Sequence, residues 1–312
     1  MQNNIAGLYA VYGPCGREKH IAAEIGKLVK PFVDEVSVDV MGNLYAVRHG
    51  SSGKTVMISC PMDRPGLAVV DYNEPYLRGD FIGPLTFEHV HGSTAMFEDG
   101  TELPVRNTGD DGKKLFETSV GIDLRGISGQ EKYLKTAQFT MLKSAYSEDE
   151  SSVKGFGVSA VACCDALIRI LKTLDTKHTV TAVFAAQSEI QDKGLGCAVF
   201  GVNPDACIEL RPIETVPGKI AAGKGPAAEV PMTRRRGDES VFTATRDMHV
   251  QYLMMNREER NPVYGYKRDG YGYSRYFFLG LPVTDPKTKD ECCLKSDIGD
   301  MAVCAAGLIE RM

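Results

Sequence analysis

The chain has 312 residues, 43% hydrophobic and 25% charged, with 32 Gly and 15 Pro, the profile of an ordinary globular protein of one large or two smaller domains. A formal net charge of −5 argues against a general nucleic-acid binder, and no apolar run approaches the ~20 residues of a membrane span. The opening "MQNNIAGLYAVYGPCG" lacks a basic region followed by an apolar one, so no secretory signal is expected; nine Cys without a C-x-x-C pair read as small buried hydrophobes of a reducing cytoplasm.

In chain order, residues 18–30 place Ile21, Ile25 and Leu28 on one helical face. "VSVDVMGNLYAVR" alternates apolar and polar residues about "MGN" and predicts a hairpin over 36–48, with a further strand at Thr55–Ser59. From 68 to 152 the chain turns to short apolar pieces broken by Gly, Asp and Asn, and "NTGDDGKK" at 107–114 is a surface loop. A long helix is predicted at 158–174, strands at 178–186 and 206–210, and a last helix near 297–310. Helix–strand alternation on both sides of a β-rich segment predicts an α/β domain over 1–67 and 153–312, with an inserted β domain over 68–152.

The stretch "MISCPMDRPG" at 57–66 is a strand that ends in a polar loop carrying Asp63. A metal-binding His with an orienting Asp two residues later is the expected pattern at such a strand end. Pro61 stands in the His position and has no side-chain lone pair.

Four segments carry a family resemblance: "YGPCGREKHIAAEI", "VDEVSVDVMGNLYAVRHG", "VMISCPMDRPGLAV" and the ungapped "AVFAAQSEIQDKGLGCAVFGVNPDACIEL". Together they resemble the glutamyl-aminopeptidase-like zinc peptidases, the tetrahedral-aminopeptidase or "cellulase M" type. The resemblance implies a mixed sheet flanked by helices, an inserted small β-barrel-like domain and assembly into homo-oligomers. It also implies a pair of zinc or cobalt ions bridged by a carboxylate, with a Glu as general base.

Carried over position by position, the first His falls on Pro61, the bridging Asp on Ser159, the general base on Ser188 and its ligating neighbour on Glu189. The last Asp falls on Arg211, and the final His falls near Asp290. Only Glu189 is retained among the ligands, beside the orienting Asp63. No metal cofactor and no catalytic residue are therefore expected. The expectation is a cytoplasmic non-catalytic homologue that binds a peptide, amino acid or small anion in the former cleft. Two alternatives stay open: a hydrolase rebuilt on Asp63, Glu189, Asp290 and Cys60, and a structural subunit of an active paralogue. Partners with nucleic acid or membrane are not expected.

Other features invite functional readings and have plainer ones. Ser159 and Ser188 lack a nearby His motif to act as base. His89 and His91 would share a face if they lay on a strand. "TRRRGDES" at 233–240 is a loop with anion-binding composition, and "YGYKRDGYGYSRYFF" at 264–278 is a binding loop or a Tyr-lined core edge. Met62 reads as packing. Finally, two carboxylates left without metals need a counter-charge, and Arg211 is expected to pair with Glu189 and Asp63.

Overall fold

The computed structural model describes residues 4–134, 138–231, 245, 247–255 and 275–312. Two packing surfaces organise it: an 11-stranded mixed sheet with helices on both faces, and a closed six-stranded barrel. The large sheet contains β1 (Glu35–Val38), β2 (Leu44–Arg48), β3 (Thr55–Pro61), β10 (Ser147–Glu148), β11 (Ser152–Lys154) and β12 (Thr179–Ala185). It continues with β13 (Ala206–Glu214), β14 (Ala227–Pro231), β15 (Gln251–Met255), β16 (Arg275–Thr284) and β17 (Cys292–Leu294). The order is β1-β2-β12-β3-β13-β16-β17-β11-β10, with β14 pairing β15 and β16.

The central run β12-β3-β13-β16 is parallel. A parallel strand covered on both faces must be apolar along its whole length, and Val56, Met57, Ile58, Ser59 and Cys60 of β3 are all buried. Val56, Ile58 and Cys60 face the core shared with α1 (Ile5–Ala10), α2 (Lys19–Val29), α3 (Val158–Thr173) and a C-terminal α5 (Lys295–Glu310). Met57 faces the other way, toward Leu195 and Val199 of α4 (Lys193–Val202). The hairpin of β1 and β2 is turned by Asp39, whose Oδ1 accepts the amides of Met41 and Asn43 at 2.9 Å each.

The barrel is formed by β4 (Gly66–Asn73), β5 (Tyr76–Ile82), β6 (Thr94–Met96), β7 (Glu102–Arg106), β8 (Val120–Asp123) and β9 (Phe139–Lys143). Leu67, Val69, Leu77, Val105, Ile122 and Leu142 fill its interior. The chain enters and leaves side by side: Gly66 pairs with Met141, and the Leu142 amide donates to Pro65 O at 3.0 Å. The barrel thus runs from 66 to 143. Residues 147–152, placed by sequence in the β insertion, belong to the large sheet, where β10 pairs β11 and β11 pairs β17, both antiparallel. Among the described residues no helix is long and apolar enough to cross a membrane.

Candidate functional site

Parallel strands end on the same side of a sheet, and loops leaving their carboxyl ends form the usual ligand crevice of such folds. Here β3, β12, β13 and β16 deliver Pro61, the 187–192 loop, Arg211 and the 285–291 loop to one place. Gly157 and Ser159 at the start of α3 form one wall and Phe81–Pro84 of the barrel another, enclosing a cleft of about 810 Å³. Five of the six described non-glycine residues with positive φ sit in its two loops: Gln187, Gln191, Asp192, Asp285 and Lys287. Left-handed backbone at such residues is costly, and its concentration at one cleft singles that cleft out as the candidate site.

Pro61, Ser159, Ser188, Glu189 and Arg211 all line the cleft, Ser159 from the start of α3 and the others from β3, β13 and the loop after β12. Asp63 lies just behind them, 1% exposed, and accepts the amides of Ser188 at 2.9 Å and Glu189 at 3.0 Å. It therefore fixes the loop that carries Glu189. Burial, with the Glu189 charge adding to it, pushes the Asp63 carboxyl up to about 7 despite those two amide bonds. Burial also raises Glu189, and Lys287 opposes the shift.

The counter-ions differ from the sequence expectation. Arg211 does not pair with Glu189 or Asp63: its guanidinium bonds Asp192 Oδ2 and Glu209 Oε1, both at 3.2 Å. Burial pulls the guanidinium down in pKa, but Glu209 and Asp192 outweigh it and hold the group above its ordinary value. Arg211 and Glu209 are both on β13, two residues apart and on one face, so the nearer carboxylate wins. The cation facing Glu189 is Lys287, with Nζ 3.4 Å from Oε2.

Asp290 is also placed differently. It is exposed, 3.4 Å from Lys289, while its neighbour Glu291 turns inward and accepts the Ser159 amide at 2.8 Å and the Lys287 amide at 2.7 Å. Burial raises the Glu291 carboxyl. Cys60 turns its thiol to the α3 side, 3.9 Å from Cys164 Sγ, where burial raises its pKa; Met62 is likewise buried. The combination Asp63, Glu189, Asp290 and Cys60 is thus not brought together. His89 and His91 lie in a turn rather than a strand, and the His89 ring accepts the Thr86 amide. No His lines the cleft among the described residues. "TRRRGDES" and most of the Tyr-rich 264–278 stretch lie outside the described residues.

One group of potential metal donors is found among the described residues. Cys15, Glu18 and Asp63 are buried with donor atoms within 4.8 Å of one another. Their oxygens already serve the backbone: Glu18 accepts the Gly16 amide at 2.6 Å and the Gln187 amide at 2.9 Å. The Cys15 thiol, raised by burial and by Asp63, hydrogen-bonds that carboxylate. The cluster works as a clamp on the loops around the cleft. Sequence reasoning passed over Glu18, Asp192, Glu209, Lys287 and Glu291; the last two stood in "PKTKDE", where consecutive polar residues gave no sign of which face inward.

The fold is that of the aminopeptidases. The chain superposes on an aminopeptidase of the archaeon Desulfurococcus kamchatkensis with a TM-score of 0.85 at 19% identity, covering 99% of this chain and 94% of that one. The TET1 peptidase of Pyrococcus horikoshii, described as assembling into a tetrahedron or a large octahedral shell, gives 0.82 at 18% identity, with 99% of each chain covered. In sequence, the chain is 28% identical over 235 residues to a protein of Acetivibrio thermocellus named "Putative aminopeptidase", covering 70% of each. No family model matches the chain.

Proposed function

We propose that this chain is a homologue of the zinc aminopeptidases that has lost two-metal hydrolysis and uses the former cleft to bind a peptide, an amino acid or a small anion. The observation that carries the reading is the pair of cations in the cleft. Arg211 and Lys287 are the counter-ions of Asp192, Glu209 and Glu189. Glu189, Asp192 and Glu209 are thus already engaged, and a dication could reach them only by displacing a paired cation from a partly desolvated space. The donor set does not fit a carboxylate-bridged metal pair either. Proline and two serines stand at three ligand or base positions, and a two-metal hydrolase needs hard oxygen and imidazole donors there. Homo-oligomerisation belongs to the same proposal, in line with the assembly described for the Pyrococcus horikoshii peptidase.

The test is hydrolysis of leucyl and glutamyl p-nitroanilides by the purified full-length protein, with and without added zinc or cobalt. The expected result is no release of nitroaniline above the blank. Metal-stimulated release that titrates with protein would overturn the proposal.

A further inference from the structure

The cleft contains a polar atom that the protein leaves without a partner. Ser59, on β3 and 1% exposed, has no hydrogen-bond partner for its Oγ among the described residues, and it lines the cleft floor. Buried hydroxyls are nearly always satisfied, so an orphan inside a cleft marks a place for a ligand atom. Ser59 is the register partner of Glu209 on the neighbouring β13, so hydroxyl and carboxylate stand side by side as acceptors. Arg211 lies two residues further along β13, a step of about 6.6 Å on the same face of the strand.

The accessible charges have a matching order. Arg211 and Lys287 are 33% and 31% exposed, whereas Glu189, Asp192 and Glu209 are 18%, 14% and 4% exposed. A guanidinium has five N–H donors and an ammonium three, so the carboxylates they touch leave donors over for a ligand. The floor therefore offers Ser59 Oγ beside Glu209, whose oxygens already accept from Arg211 and the Tyr276 hydroxyl, with further donors on Arg211 one strand step away and on Lys287 in the same lining. A ligand bonded at both ends by contacts of about 3 Å fits if its own charges are separated by only a few ångströms.

We propose that the cleft binds a free α-amino acid as its zwitterion. The ammonium donates to Glu209 and Ser59 Oγ, and the carboxylate accepts from Arg211 and Lys287. The side chain lies toward Phe81, Ile82 and Ile190. A peptide is excluded as the best fit because its two charged ends are too far apart to use both sets. This assignment rests on the cleft being a binding site that does not hydrolyse.

The test uses the full-length protein, dialysed against chelator. Each of the twenty standard L-amino acids is screened by thermal shift. The tightest is then titrated calorimetrically beside its amide, its N-acetyl derivative and its homodipeptide. The free amino acid is expected to bind, and each of the other three to bind at least 10-fold more weakly. Ser59→Ala is expected to weaken amino-acid binding about 10-fold or more, the equivalent of one hydrogen bond to a charged group, while leaving the unliganded protein at least as stable as before. Amide, acetyl derivative or dipeptide binding as tightly as the amino acid overturns the inference. So does absence of binding by all twenty, or unchanged affinity in Ser59→Ala. Anilide hydrolysis by the same preparation would instead overturn the underlying reading of the cleft.

Discussion

At the scale of single residues, the cleft is decided by which carboxylate each cation reaches. Arg211 bridges Asp192 and Glu209, and Glu209 also accepts a hydrogen bond from the Tyr276 hydroxyl. Removing Arg211 leaves Glu209, 4% exposed, without its nearest cation. Breaking a buried pair in this way costs 3–5 kcal/mol when both charges are fully buried; with Arg211 a third exposed, we expect Arg211→Ala to cost about 2–3 kcal/mol in urea unfolding. Double-mutant cycles should show stronger coupling of Arg211 to Asp192 and Glu209 than to Glu189. Equal or greater coupling to Glu189 would restore the pairing expected from sequence alone.

Asp63 gives the pH dependence. Its carboxyl is raised from 3.8 to about 7 in the folded chain, so between those values the folded state holds a proton that the unfolded state has lost. The resulting stabilisation is fully present below pH ~4 and disappears as the pH rises through about 7. The raised Glu189 and Glu291 carboxyls act in the same direction. Unfolding free energy should therefore be larger at pH 5 than at pH 8, and Asp63→Asn should flatten much of that slope. A slope of opposite sign, or one untouched in Asp63→Asn, contradicts the account.

At the scale of elements, the site depends on how closely the barrel approaches the loop after β12. Gly83, just beyond β5, has φ +98°, and a Cβ there would come within 2.8 Å of Glu189 Oε2. Gly83→Ala combines backbone strain with displacement of the carboxylate from Lys287. We expect it to cost about 1–3 kcal/mol, above the usual range for a tolerated glycine replacement. Thermal unfolding with no change in midpoint would show that the approach is looser than described.

The elements also show what the sequence could and could not convey. The helix expected over 18–30 runs Lys19–Val29, and the strand at Thr55–Ser59 extends to Pro61, because apolar periodicity reports burial directly. Helix α4 was missed: "KGLGCAVFGV" has three Gly and a helix-poor look, yet Gly194 is needed where a Cβ would strike the Ala186 backbone at 2.1 Å. In the 285–291 loop the sequence points to Asp290, whereas Lys287 and Glu291 are the residues that face the cleft. Turns with positive φ at Asp285 and Lys287 choose which side chains enter the cleft, and no linear period encodes that choice. Glu18 and Asp63 meet across a long stretch of chain, so their clamp was not visible before the fold was assembled.

At the scale of the whole molecule, the chain has the architecture of an aminopeptidase, and the proposal is that the chemistry at its strand ends has been replaced. Four parallel strands converge on a cleft walled by the barrel, and it is lined by Pro61 and Arg211 from the strands, Ser159 from α3, and Ser188 and Lys287 from loops. The fold rests on the buried faces of β3, β12 and β13, which do not include the cleft-lining Pro61, Ser159, Ser188 and Arg211. The most direct measurement is the metal stoichiometry of the full-length protein. Zinc and cobalt would each be offered in excess by equilibrium dialysis at pH 7.5 and counted by elemental analysis. The account predicts well under one ion per chain at the cleft, unchanged in Glu189→Gln. Two ions per chain, reduced in Glu189→Gln, would contradict it.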